Sequence, residues 1–345
     1  MLKTLASLAC ALLFLTTHCF PQQPITLTSG TKETLRGLSV VSSNIMWASG
    51  THGSYLRTID SGKTWTVDQV PSAEALDFRD VEAFSPSLAY LLAAGPGEQS
   101  RIYKTRDAGK HWELQLTNPD HQGFLDCMAF WDRDHGIVLG DPVDGKFVLF
   151  TTGDGGRHWK KIAPAQLPAA VTGEGAFAAS GSCVAVSGKK SVWFVTGGAT
   201  ARVFHSEDRG KTWSVAKSPL PAIESTSGIF SVAFRDATHG VIAGGDYKTP
   251  SEGSKNLAFT TDGGKTWTLS QVLPQAYFSA AAFDSHSNRV FVVGTTFAGW
   301  MDNVTDKSWR HTWPLNLNTV VFDGEGNTIA VGVSGAVVQF PLAAK

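Results

Sequence analysis

Five aspartates of the chain stand in one repeated setting that could do chemistry. The pattern (Ser/Thr)-x-Asp-x-Gly-x-x-Trp begins at Thr58, Thr105, Thr152, Ser206 and Thr260, the last copy reading "TTDGGKTW". Each copy sets a carboxylate two residues after a hydroxyl and two residues before a glycine: Asp60, Asp107, Asp154, Asp208 and Asp262. Each closes on an indole five residues later: Trp65, Trp112, Trp159, Trp213 and Trp267. A lone box of this kind would pass for a catalytic loop. A catalytic loop is needed once, however, and the starts recur at intervals of 47, 47, 54 and 54 residues. Fixed-period self-similarity marks repeated architecture. In such a box the carboxylate accepts hydrogen bonds from turn N–H groups, the glycine supplies positive φ, and the indole covers neighbouring apolar surface.

A second, non-periodic set carries the chemistry that remains: Arg36, His52, Asp77, Arg79, Asp80, Asp126, Asp141, Asp144, Glu174, Arg202, Asp246 and Tyr247. Its acids have a turn-capping reading, in which they hold loop N–H groups. They also have a ligand reading, in which Arg36, Arg79 and Arg202 offer paired donors to a carboxylate or sulfate. A third is glycoside hydrolysis, which needs two carboxyls roughly 5 to 10 Å apart. Asp80 and Asp126 are aligned as one column of adjacent units, which predicts that they lie close together. The stretch "GEGAFA", Gly173 to Ala178, imitates a dinucleotide loop. A strand-like run follows it in place of a helix, and the next acid after Glu174 is Glu207, so no nucleotide cofactor is expected.

These residues need strands to position them. Short apolar runs such as "GIVLG" and "VIAGG" precede the boxes, and Gly and Asp punctuate them. A second column lies upstream of each box: "RGLSVV", "RDVEAF", "LDCMAF", "GSCVAV" and "IFSVAF", continued by "FSAAAF" and "LNTVVF". That makes seven units of about 45 residues, the repeat length of a propeller. The sixth unit, "DNVTDKSW", keeps only the Trp of the box. The seventh stops after "GAVVQF", and the segment "PITLTSG" from Pro24 is expected to supply its missing strand and close the ring. The expected fold is all-β, a seven-bladed β-propeller of four-stranded blades. The box hairpins fall on one face and the second residue set on the other, at the channel mouth.

The boxes resemble the Asp-box, or BNR, repeats of sialidases, large xyloglucan-degrading hydrolases and sortilin-type receptors. Over roughly residues 24 to 340 the blade form "RGLSVVSSNIMWASGTHGSYLRTIDSGKTW", with "LDFRDVEAF", "GDPVDGKF", "GEGAFAASG" and "AGGDY", resembles the photosystem II stability and assembly factor family and its bacterial relatives. The resemblance implies a propeller that acts as a binding factor in assembly of a membrane complex. A sialidase is disfavoured because the Phe/Tyr-Arg-Ile-Pro motif is missing.

The 345 residues are 42% hydrophobic and carry 29 Lys and Arg against 30 Asp and Glu, a balance that gives no sign of a nucleic-acid partner. The apolar run Leu5 to Leu15 is too short to span a bilayer and has the layout of a secretory signal. Residues 1–20 are therefore read as a leader and residues 21–345 as one propeller domain, exported and monomeric; lipidation at Cys19 is the lesser alternative. No Cys-x-x-Cys and no paired-His motif supports a metal. Cys127 and Cys183 are assigned to one inner-strand column of adjacent units. Because facing sheets stand about 10 Å apart and a disulfide needs Cα atoms within about 7 Å, two buried free thiols are expected. The function expected is non-enzymatic binding of a protein or cell-envelope ligand, with no cofactor. A glycoside hydrolase using mouth carboxylates is the alternative.

Overall fold

The computed structural model describes residues 23–284 and 286–341; the predicted leader and Cys19 lie outside them. Seven antiparallel blades of four strands follow one another around a channel. Inner strands, such as Phe78–Ala83 and Ala280–Phe283, stand nearest the channel, and that of the sixth blade opens with three alanines. Second strands, such as Ala89–Ala93 and Val290–Val293, are buried throughout. Outer strands, such as the exposed Thr66–Gln69, are short and polar, which protects the sheet edges. Ile25–Leu27 pairs with Val337–Gln339 and forms the outer strand of the seventh blade, so the two ends of the chain close the ring together.

The boxes fold as staples. The Thr58 hydroxyl donates to Asp60 at 2.8 Å and accepts the Gly62 N–H at 3.0 Å, while Asp60 accepts the Thr64 N–H at 2.9 Å. The same set recurs around Asp107, Asp154, Asp208 and Asp262. The glycine two residues after each Asp takes φ between 79° and 90°, a region that side chains disfavour. Neighbouring blades grip these turns: the Tyr55 and Tyr90 hydroxyls donate to Gly109 O and Gly155 O at 2.9 Å, and the Trp193 indole donates to Gly263 O at 2.8 Å. Each such bond stabilises the ring by about 1 kcal/mol net. The box tryptophans are half-buried. In the sixth blade Asp302 lacks the box and pairs instead with Arg289 and Arg310, at 3.1 and 2.7 Å.

The cysteines depart from expectation. Cys127 and Cys183 form a disulfide, with Cα atoms 5.9 Å apart. The 10 Å spacing belongs to sheets facing each other broadside, whereas blades converge towards the channel axis, so their inner strands come within disulfide reach.

Candidate functional site

The inner strands carry a repeated irregularity at their mouth ends. Strand pairing skips one residue in five blades: Arg36, Arg79, Asp126, Phe230 and Asn318. A β-bulge of this kind adds a residue that cannot join the ladder and re-aims its side chain. All five bulged residues line one cavity of about 520 Å3 at the channel mouth. Ser279, just ahead of the inner strand of blade 6, lines it too.

Aromatic rings form one wall. Phe177 stacks on Phe230 with centroids 3.9 Å apart and planes 7° apart, and Tyr277 and Tyr247 meet Phe230 edge-on at 4.8 and 6.2 Å. Phe177 is brought there by the segment Glu174–Gly175, which pairs with Gly197–Gly198. That pair continues onto Gly228 and extends the blade-5 sheet to six strands across the mouth. The crossing needs glycine at Gly228, where φ is 145° and a Cβ would overlap the Gly197 Cα. No helix follows Gly173–Ala178, so the dinucleotide-like run is a mouth loop.

Charge forms the other wall. Asp77 accepts a hydrogen bond from Arg79 Nε at 2.8 Å and faces Arg36 Nε at 3.4 Å. Arg79 Nη1 donates to Ala178 O at 2.9 Å. Among the described residues the terminal nitrogens of Arg36, and Nη2 of Arg79, have no hydrogen-bond partner, and four buried polar atoms at the site lack one as well: Arg36 Nε, Asp77 Oδ1, Asp126 Oδ2 and Thr295 Oγ1. Burial, and then the neighbouring Arg79, lowers the Arg36 pKa. Asp126 is pushed well above the carboxylate range by burial and by the charge of Asp141, with Arg79 opposing. Asp141, which accepts the Ala176 N–H at 2.9 Å, is pushed up by burial as well. Burial raises Tyr277.

The structure therefore gathers Arg36, Arg79, Asp126, Asp141 and Tyr247 at one cavity, with Asp77 bridging the two arginines. It places the other candidates elsewhere. Asp80 does not share a column with Asp126: the register aligns Asp126 with Arg79, and Asp80 with Cys127. Its side chain lies inside the channel with Glu82, accepts the Met128 N–H at 2.7 Å, and is pushed up to about 8 by burial. Glu82 is raised by burial and by Asp80. Arg202 is not a free donor, because Glu174 and the Ala169 carbonyl occupy its guanidinium, and Glu174 also accepts from Thr196 at 2.7 Å. Asp144 sits on an exposed turn. Asp246 accepts the Lys248 N–H at 2.9 Å at a strand end, and exposed His52 pairs with Glu33 at 2.7 Å. Sequence reasoning missed Phe177, Phe230, Tyr277, Thr295, Ser279 and Asn318, of which Phe230, Ser279 and Asn318 stand at the heads of inner strands.

A larger cavity of about 670 Å3 lies on the box face between blades 3 and 4, where Lys160, Lys161, Arg209 and Lys211 converge. The fold thus collects a cationic patch that a near-neutral sequence conceals. None of the buried unpartnered polar atoms belongs to it. The mouth is therefore the better-built site. Among the described residues no helix is long and apolar enough to cross a membrane.

The BNR/Asp-box repeat model matches residues 258–269, which hold the fifth box. No curated protein matches the sequence. Among solved structures the chain is similar to YCF48 from Cyanidioschyzon merolae, at 20% identity, covering 92% of this chain and 98% of that one with a TM-score of 0.57. It is similar to U3-55K at 12% identity, covering 94% and 100%, TM-score 0.67. It is also similar to the GH74 enzyme of Niastella koreensis at 15% identity and TM-score 0.58; 89% of this chain aligns, over only 52% of that enzyme's length. At such identities the likeness establishes the propeller fold.

Proposed function

We propose that the chain is an exported, non-enzymatic binding factor that holds another protein or a cell-envelope ligand at the channel mouth. One observation carries this reading: five bulged inner-strand residues from five blades converge on a single cavity that retains unpartnered buried polar atoms. Burying polar groups without partners costs stability, so their retention here favours a site completed by a ligand. The exposed Tyr247, Ile223 and Val171 on mouth-side loops add apolar contact around it. Export rests on the apolar leader Leu5 to Leu15, and an assembly role is in keeping with a site that grips its ligand without converting it.

Glycoside hydrolysis needs one carboxyl held protonated and its partner held ionised. Asp126 and Asp141 are the two carboxyls lining the cavity that this alternative would use. The reading is tested by capture from native envelope, comparing the parent with an Arg36→Ala/Arg79→Ala variant and identifying retained proteins by mass spectrometry. The parent is expected to retain a partner that the variant loses. Equal retention, or release of sugars from polysaccharide that depends on Asp126 and Asp141, would refute it.

A further inference from the structure

The mouth reading leaves the chemistry of the ligand open, and the cavity walls narrow it. Two guanidinium groups share one carboxylate, Asp77. The remaining acids at the site, Asp126 and Asp141, are both raised by burial, which weakens their competition for the two guanidinium groups. Unused N–H donors of Arg36 and Arg79 and the unpartnered Oδ2 of Asp126 line the cavity, and Asp126 is only 1% exposed. The same cavity is lined by the stacked Phe177 and Phe230, with Tyr277 edge-on. Forked donors match the two oxygens of a carboxylate, and a ring pair of this geometry takes a planar apolar body. The volume suits a small ligand or one anchoring side chain.

We propose that the mouth cavity recognises a carboxylate carried next to an aromatic ring, with the carboxylate bridging Arg36 and Arg79 within reach of Asp126 and the ring seated against Phe177, Phe230 and Tyr277. The inference rests on the mouth being the binding site. Such a ligand is either a free aromatic acid or the C-terminus of a chain ending in an aromatic residue. A dianion such as sulfate fits less well, because it leaves the rings uncovered.

Calorimetric titration of the purified protein tests this with four probes: 3-phenylpropionate, N-acetyl-Gly-Phe as the free acid, the same dipeptide as its amide, and sodium sulfate. The free acids are expected to bind at least tenfold more tightly than the amide or sulfate. Tighter binding of the dipeptide acid identifies a chain terminus as the source, and equal binding of the two acids identifies a free acid. Arg79→Met is expected to weaken acid binding at least tenfold. Tyr277→Leu, which removes a ring and keeps the charges, is expected to weaken both acids in parallel. Acid and amide binding alike, sulfate binding as tightly as the acids, or no binding by any acid overturns the inference. If the acids bind through Arg79 while envelope capture ignores Arg36 and Arg79, the partner reading fails and this inference stands. If capture needs both arginines but acid and amide bind alike, this inference fails alone.

Discussion

Asp126 shows how one residue can couple the site to stability. Its folded pKa is raised by burial, so the folded state holds a proton that the unfolded chain releases near pH 4. Its contribution is fully present below the unfolded pKa and is lost as pH rises towards the folded value. The groups facing it are Asp141 from the next strand of its own blade, which adds to the shift, and Arg79 from blade 2, which opposes it. Asp60, Asp107, Asp208 and Asp262 act in the other sense. Turn hydrogen bonds hold them at about 2, so their stabilisation is present above the unfolded pKa and is lost as pH falls through that value. Replacing Asp126 by Asn keeps the shape and removes the titration. Thermal melts from pH 4 upward are expected to show the parent losing more stability than Asp126→Asn, by roughly 2 °C or more in Tm. Parallel pH profiles would show that Asp126 is not held neutral.

At the scale of the element, the boxes were legible because their hydrogen bonds run within eight residues, so spacing alone encodes them. The orphan strand was legible too, because a seventh blade short of one strand and an unassigned apolar run imply each other. Ile25–Leu27 pairs where the ring needs it, and deleting residues 24–30 exposes the edge of Val337–Phe340. The deletion is expected to aggregate and to melt lower than the parent in light-scattering and calorimetric scans; a soluble variant of equal Tm would contradict ring closure by this strand. The bulges were not legible. One extra residue shifts every side chain after it, and matching Asp80 to Asp126 by residue type concealed the 47-residue step that joins Arg79 to Asp126. The disulfide was missed for a related reason: the distance between two inner strands depends on how blades converge, which no single strand encodes.

For the whole molecule, net charge near zero proved a poor guide to surface, because the fold sorts its charges. The cationic cluster of Lys160, Lys161, Arg209 and Lys211 lies on the box face, while the paired arginines and raised acids lie at the opposite mouth. Five of the twelve candidate mouth residues line the cavity, and the aromatic wall was unreadable because Phe177 arrives through a sheet extension between blades. The central claim, that this propeller works through its mouth and not its boxes, is tested most directly by photocrosslinking. A benzophenone amino acid is placed in the full chain at exposed Tyr247 on the mouth and, separately, at exposed Thr266 in the fifth box, and both are irradiated in native envelope. A discrete crosslinked partner is expected from position 247 and none from position 266. The same partner crosslinked from the box and absent from the mouth would contradict it.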